Sequence, residues 1–178
     1  MHKLEFTYYP NPLLRQKAKP VENNPVPEIL QVMEQMKQIC SHREGIGLAA
    51  QQVGLILPIL IYSVPKNEGG NTLIGVVNPH VVEEGKITAI REEGCLSFPG
   101  LYFQIERPRR IVAEGWFDDT RQFERRELFD MPARVFSHEC DHINGILYID
   151  RIDDEARRAI KPELQRIAGM SHSTEKTT

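Results

Sequence analysis

Ser137-His138-Glu139-Cys140-Asp141-His142 contains a His-Glu-x-x-His pattern, and these residue types suit a hydrolytic centre built on a divalent metal. On a helix, His138 and His142 stand one turn apart on one face, with side-chain origins about 6 Å apart. Two imidazole nitrogens can then converge on one cation. Glu139 is offset from that pair and can reach a water at the cation without ligating it. The plainer reading is a helix with two partly buried histidines bonded to backbone, and the pattern alone does not separate the two.

Local chemistry predicts the helix that must carry the pattern, over residues 131–144. Asp130 is suited to N-cap it, Pro132 falls in the first turn, and Gly145 stands where a C′ residue would end it. Val135, His138 and His142 share one side. Phe136, Cys140 and Ile143 form an apolar stripe for a core, and Ala133, Ser137, Asp141 and Asn144 make a small or polar third side.

The 178 residues fit one domain, expected over residues 1–170 with a polar, frayed tail at 171–178. With 22 Lys+Arg against 25 Asp+Glu, no basic surplus points to nucleic acid and no acidic block to a solvating tail. The first residues lack the apolar run of a signal peptide, and no stretch approaches a membrane span. Three cysteines at unrelated spacings, Cys40, Cys95 and Cys140, argue for a reducing compartment, most simply a bacterial cytoplasm.

Two proline-rich segments, 8–12 and 20–27, resist regular structure. Ile29, Val32, Met33, Met36, Ile39 and Cys40 recur at helical spacing and predict a helix from about Pro27 to His42. Glu44 to Gly54 lacks the signature of a phosphate loop. Its glycines around Ile46 suggest a backbone that a ligand approaches closely, or simply a tight turn, and Gln52 suggests an amide aimed into a cavity. Strands are expected at 58–64, at 72–82 with an interruption at Asn78-Pro79, and at 86–91. A hairpin of 110–117 and 121–129 should lead into the motif helix. Residues 146–149 read as a short strand or helix exit, and 153–167 as a helix that Pro162 breaks or kinks.

A catalytic site of this kind needs three protein ligands and an open position. The patterns that supply a third ligand in His-Glu-x-x-His peptidases fit poorly: Tyr148 occupies the position of one further histidine, and Glu163 is disturbed by Pro162. Cys95, in Glu93-Gly94-Cys95-Leu96-Ser97, remains as a soft ligand, although a lone cytosolic cysteine is more often a small buried hydrophobe.

Taken together, Gly45-Ile46-Gly47-Leu48-Ala49-Ala50-Gln51-Gln52, Glu93-Gly94-Cys95-Leu96-Ser97 and His138-Glu139-Cys140-Asp141-His142 resemble the three signature motifs of peptide deformylase, in that family's order. The resemblance runs from about Tyr9 to Arg151. It implies an α+β fold in which antiparallel or mixed sheets pack around a central metal-binding helix. It also implies that Cys95, His138 and His142 hold the metal, that Glu139 is the acid/base, and that the Gln52 amide and Leu96 N–H form an oxyanion hole. The implied metal is Fe²⁺, with Zn²⁺, Ni²⁺ or Co²⁺ as substitutes. The implied substrate is the N-formylmethionyl end of nascent peptides, with formate released, and some members dock on the ribosome through their C-terminal region. Val135 and Ile46 are candidates to line a methionine pocket, and the backbones of Ile46, Gly47 and Gly94 to pair with an extended peptide. Glu93 and Arg107 are candidates for a buried ion pair, with a solvated pair as the alternative. Ser137, Phe98 and Tyr102 depart from residues common in the family. A His-Glu-x-x-His peptidase and a non-catalytic metal-binding relative are the alternatives to a deformylase.

Overall fold

The computed structural model describes residues 4–22 and 25–174. Helix α1 spans Pro27–His42 and buries Met33, Met36 and Cys40. Strand β1 (Gly47–Ala49) and a 3₁₀ turn at Ala50–Val53 follow, then β2 (Ile59–Pro65), β3 (Asn71–Glu84), β4 (Thr88–Gly94), β5 (Tyr102–Pro108), β6 (Arg110–Phe117) and β7 (Gln122–Phe129). Helix α2 is Asp130–Ile143, and α3 (Asp154–Ala159) and α4 (Lys161–Thr174) close the chain. Five strands form one sheet in the order β1-β2-β3-β6-β7, while β4 and β5 form a separate two-stranded sheet. Among the described residues every pairing is antiparallel, so the fold is α+β as expected.

The five-stranded sheet is covered on both faces, and this explains why Ile59-Leu60-Ile61-Tyr62 is apolar at every position. Successive side chains of a strand point to opposite faces. Leu60 and Tyr62 accordingly join Val76, Phe117 and Phe136 on the α2 side. Ile59 and Ile61 join Val77, Trp116 and Met36 on the α1 side. Each such fully buried side chain contributes about 1.5–3 kcal/mol, so these two layers anchor the sheet. At Asn78-Pro79 β3 does not end; it bulges, with Asn78 at φ 51 and its side chain bonded to both backbone groups of Val21.

Four expectations change. Asp130 does not cap α2: it lies at φ 48, its carboxylate accepts from Arg109 Nε (2.7 Å), and Phe129 occupies the cap position without a side-chain bond. Gly145 does end the helix at φ 74, where a Cβ would lie 2.4 Å from the Arg15 carbonyl. Tyr102–Pro108, given no element from sequence, is β5; Phe103, Ile105 and Arg107 alternate inward, and an arginine at an inward position conceals the apolar pattern. Residues 47–49, read as a turn or loop, form an edge strand. Pro162 does break the C-terminal helix, but into α3 and an α4 that continues through Thr174; the remainder of the expected tail, 175–178, lies outside the described residues.

Candidate metal centre

Helix α2 is buried from Ala133 to Ile143, an unusual setting for a segment holding five charged or imidazole side chains. Its third side, small and polar in sequence, is covered as well at Ala133, Ser137 and Asp141. Cys95, directly after β4, meets the helix on the side of His138 and His142. The Cys95 sulfur and one ring nitrogen from each of His138 and His142 all lie within 4.8 Å of one another, the one such trio of His, Cys, Asp or Glu among the described residues. Cys95 Sγ stands 3.3 Å from His142 Nε2. A tetrahedral ion with bonds of about 2.3 Å to sulfur and 2.05 Å to nitrogen sets those two atoms about 3.5 Å apart. The donor set therefore fits a small divalent cation.

Ring orientation fits as well. His138 Nδ1 bonds Glu93 Oε2 at 3.0 Å, which leaves Nε2 as the nitrogen facing the centre. Burial pushes His138 down, but bonds to Cys95 and Glu93 outweigh it and hold the ring up at about 10. Burial and then the His138 charge push His142 well below its ordinary value. Burial would raise Glu93, yet bonds from His138 and Arg107 hold it down at about 2.

Glu139 is buried, and burial pushes its carboxyl up to about 7. Its Oε2 has no hydrogen-bond partner among the described residues, so one oxygen is free to take a proton from a reactant. The carboxylate presses on Gly47, where a Cβ would lie 2.4 Å from Oε1 and 2.7 Å from Val135 Cγ1. Close approach is thus the reason for that glycine, with Glu139 itself as the neighbour. The Ala49 N–H donates to Gln52 Oε1 (2.7 Å), which turns the Gln52 amino group toward Cys95 Sγ at 3.5 Å.

Gln52, Cys95, His138 and Glu139 line a cleft of about 570 Å³ whose walls include Ile46, Gly47, Gly94, Leu96 and Val135. Among the described residues β1 pairs only with β2, and β4 only with β5, so each wall presents an unpaired strand edge. The Ile46 carbonyl is not available to a peptide, because Ser63 N–H donates to it; its half-exposed side chain remains at the mouth. Glu93 and Arg107 form the buried pair at 2.7 and 2.9 Å, not the solvated one. Arg107 continues to Asp141 (2.8 Å), which also takes Arg151. Sequence reading missed Asp141 and Arg134 as members of this network, because no spacing marks a helical arginine as buried. Glu163 pairs with Arg166 at the surface and Tyr148 donates to the Leu101 carbonyl, so neither serves the centre.

A helix-borne His-Glu-x-x-His motif joined by a cysteine just beyond a neighbouring strand, under a cleft with a buried carboxylate, defines a metal-site hydrolase of α+β type. The sequence matches the family model of polypeptide deformylase over residues 3–158. It is 41% identical over 160 residues to a peptide deformylase of Thermotoga neapolitana, covering 89% of this chain and 92% of that one. A peptide deformylase of Borreliella burgdorferi is 34% identical, with 94% and 98% covered. The crystal structure of an Arabidopsis thaliana peptide deformylase 1B mutant superposes with a TM-score of 0.85 at 30% identity, over 97% of this chain and 94% of that one. The chain belongs to the polypeptide deformylase family. Metal dependence is a general property of that family, and Cys95, His138 and His142 form a possible site for it.

Proposed function

We propose that the chain, as a single catalytic unit over residues 1–170, removes the formyl group from the N-terminal formylmethionine of newly made polypeptides and releases formate. The observation that carries this reading is the meeting of Cys95, His138 and His142 beside an unpartnered Glu139 oxygen, at the base of a cleft between two unpaired strand edges. Cys95, His138 and His142 would hold Fe²⁺, with Zn²⁺, Ni²⁺ or Co²⁺ able to replace it. A bound cation of this kind supplies Lewis acidity, bringing the pKa of a water toward neutrality and polarising the formyl carbonyl.

The remaining work falls to the chain's own groups. Glu139 Oε2 takes the proton of the attacking water and passes it to the departing amine. The Gln52 amino group, aimed by its bond to Ala49, and the Leu96 N–H donate to the oxygen on which charge develops; loss of one such donor costs about 3–4 kcal/mol of barrier. The free edges at Gly47 and Gly94 pair with the extended peptide, and Val135 and the Ile46 side chain flank the methionine. No helix among the described residues is long and apolar enough to cross a membrane. We place the enzyme in the bacterial cytoplasm, where nascent chains leave the ribosome, with its C-terminal region as the segment for any docking there.

The test is formate release from a formyl-Met peptide by iron-loaded protein beside Glu139→Gln. The wild type should release formate, and the variant should be slower by about 10²–10⁴-fold at equal metal content. Cleavage of internal peptide bonds instead would favour a general peptidase, and a metal-loaded protein inert toward both would favour a non-catalytic relative.

A further inference from the structure

We infer that Arg134 is a positioning residue for the reaction, a clamp that fixes the cleft wall carrying Cys95 against the helix carrying the histidines. The inference rests on the reading of Cys95, His138 and His142 as metal ligands.

Arg134 lies one helical turn before His138 on α2 and is 4% exposed. Burying a guanidinium is costly unless its donors are met. Here three acceptors from the second sheet meet them. Nη1 donates to Glu93 Oε1 and, at 2.9 Å, to the Ile105 carbonyl of β5; Nη2 donates to the Ala89 carbonyl of β4. One side chain of the helix therefore holds a backbone group from each strand of the hairpin and a carboxylate near the end of β4.

That carboxylate gives the clamp its chemical consequence. Glu93 Oε1 accepts from Arg107 Nε and Arg134, and Oε2 from Arg107 Nη2 and the His138 ring. Two guanidiniums thus set the plane of the group that turns His138 Nε2 toward Cys95. Arg107 reaches from the hairpin to Asp141 on α2, while Arg134 reaches from α2 to the hairpin. The arms cross in opposite directions between the same two elements. Cys95 is two residues beyond Glu93, so loosening the Arg134 arm moves sulfur and ring nitrogen relative to each other.

A lysine at 134 keeps the charge opposite Glu93 but cannot span three separated acceptors, because its donors radiate from one nitrogen. Arg134→Lys and Arg134→Met therefore separate charge from geometry. The readouts are cobalt affinity by chelator competition, the thiolate-to-cobalt absorption band, thermal unfolding before cobalt is added, and the division of any rate change between kcat and KM. Both variants should bind cobalt roughly tenfold to a hundredfold more weakly with an altered band, as partners that orient metal-binding side chains do when removed. Arg134→Lys should melt near the wild type, and kcat should fall more than KM rises. Wild-type cobalt affinity and an unchanged band in whichever variant folds, whatever its melting temperature, overturns the inference. Cys95→Ser is the control: if it keeps the band, or if the wild type binds no cobalt, the ligand reading itself fails and the inference falls with it.

Discussion

The two sheets hold α2 by different means. Toward the five-stranded sheet the helix presents Ala133, Phe136 and Cys140, which pack among Leu60, Tyr62, Val76 and Phe117, with Phe136 edge-on to Tyr62 at 5.4 Å. Toward the β4–β5 hairpin it presents Arg134, His138 and Asp141, which meet Glu93 and Arg107 through charged hydrogen bonds. Hydrocarbon burial is strong but has no preferred direction. It fixes that the helix is inside, not how a ring is turned. Charged hydrogen bonds are directional, and they are placed where three donor atoms from two elements must converge. The division of labour follows: one side of α2 supplies stability, the other supplies orientation at a cost in desolvation.

Cysteine reactivity sharpens the contrast most. Burial pushes the Cys140 thiol, on the sheet side, far up, and pushes Cys40 up to about 12. With so little thiolate, Cys40 should react with an alkylating reagent at pH 8 about a thousandfold more slowly than an open cysteine. Cys95, at the cleft, should be the residue modified in the folded protein, and cobalt should protect it. Mass mapping after a short exposure checks this; labelling of Cys140 before Cys95 would contradict it.

Breaking the charged side is the next largest effect. Arg107→Met strips two buried carboxylates of a partner, and urea unfolding should show a loss of about 3–5 kcal/mol together with weaker metal retention. Thinning the hydrocarbon side should separate the two properties. Phe136→Leu should cost about 1–2 kcal/mol, while each folded molecule keeps its metal and its kcat near the wild type. If Phe136→Leu loses metal as readily as Arg107→Met, the distinction between the two sides is wrong.

The smallest effect comes from a pair that belongs to neither side. Arg15 and Asp150 tie the N-terminal arm to the turn after α2 in a largely solvated setting. Arg15→Ala should cost about 0.5 kcal/mol at pH 7, allowing for screening. Burial raises the Asp150 carboxyl, but the bonds from Arg15 and from the Leu147 N–H together outweigh it and leave it below its ordinary value of 3.8. A lowered carboxyl stabilises the fold above the unfolded value and loses that contribution as pH falls through the folded one. The melting-temperature gap between Arg15→Ala and wild type should therefore hold above pH 5 and close between pH 4 and pH 2.

Legibility in the sequence followed the same division. The hydrocarbon side could be read directly: the three-and-four spacing of α1, the apolar run of β2 and the Phe136-Cys140 stripe each announce a covered face. The trio of Cys95, His138 and His142 could be read from motifs, and the structure brings them together. The charged side could be read only at Glu93 and Arg107, as a candidate buried pair. Arg107 at an inward position hid β5, and Arg134 and Asp141 are ordinary surface residues by type. Asp130 resembles a cap, but Arg109 draws its carboxylate away and the backbone takes a left-handed turn there. Such residues are placed by partners distant along the chain, which no local pattern records.

The two unpaired strand edges have one more consequence. A polypeptide lying between β1 and β4 would be gripped through its amides, which are alike in every protein whatever side chains it carries. Downstream sequence then matters little, and selection is concentrated on the first residue and the small group attached to its nitrogen. A catalyst of that design can serve a whole proteome with one active site.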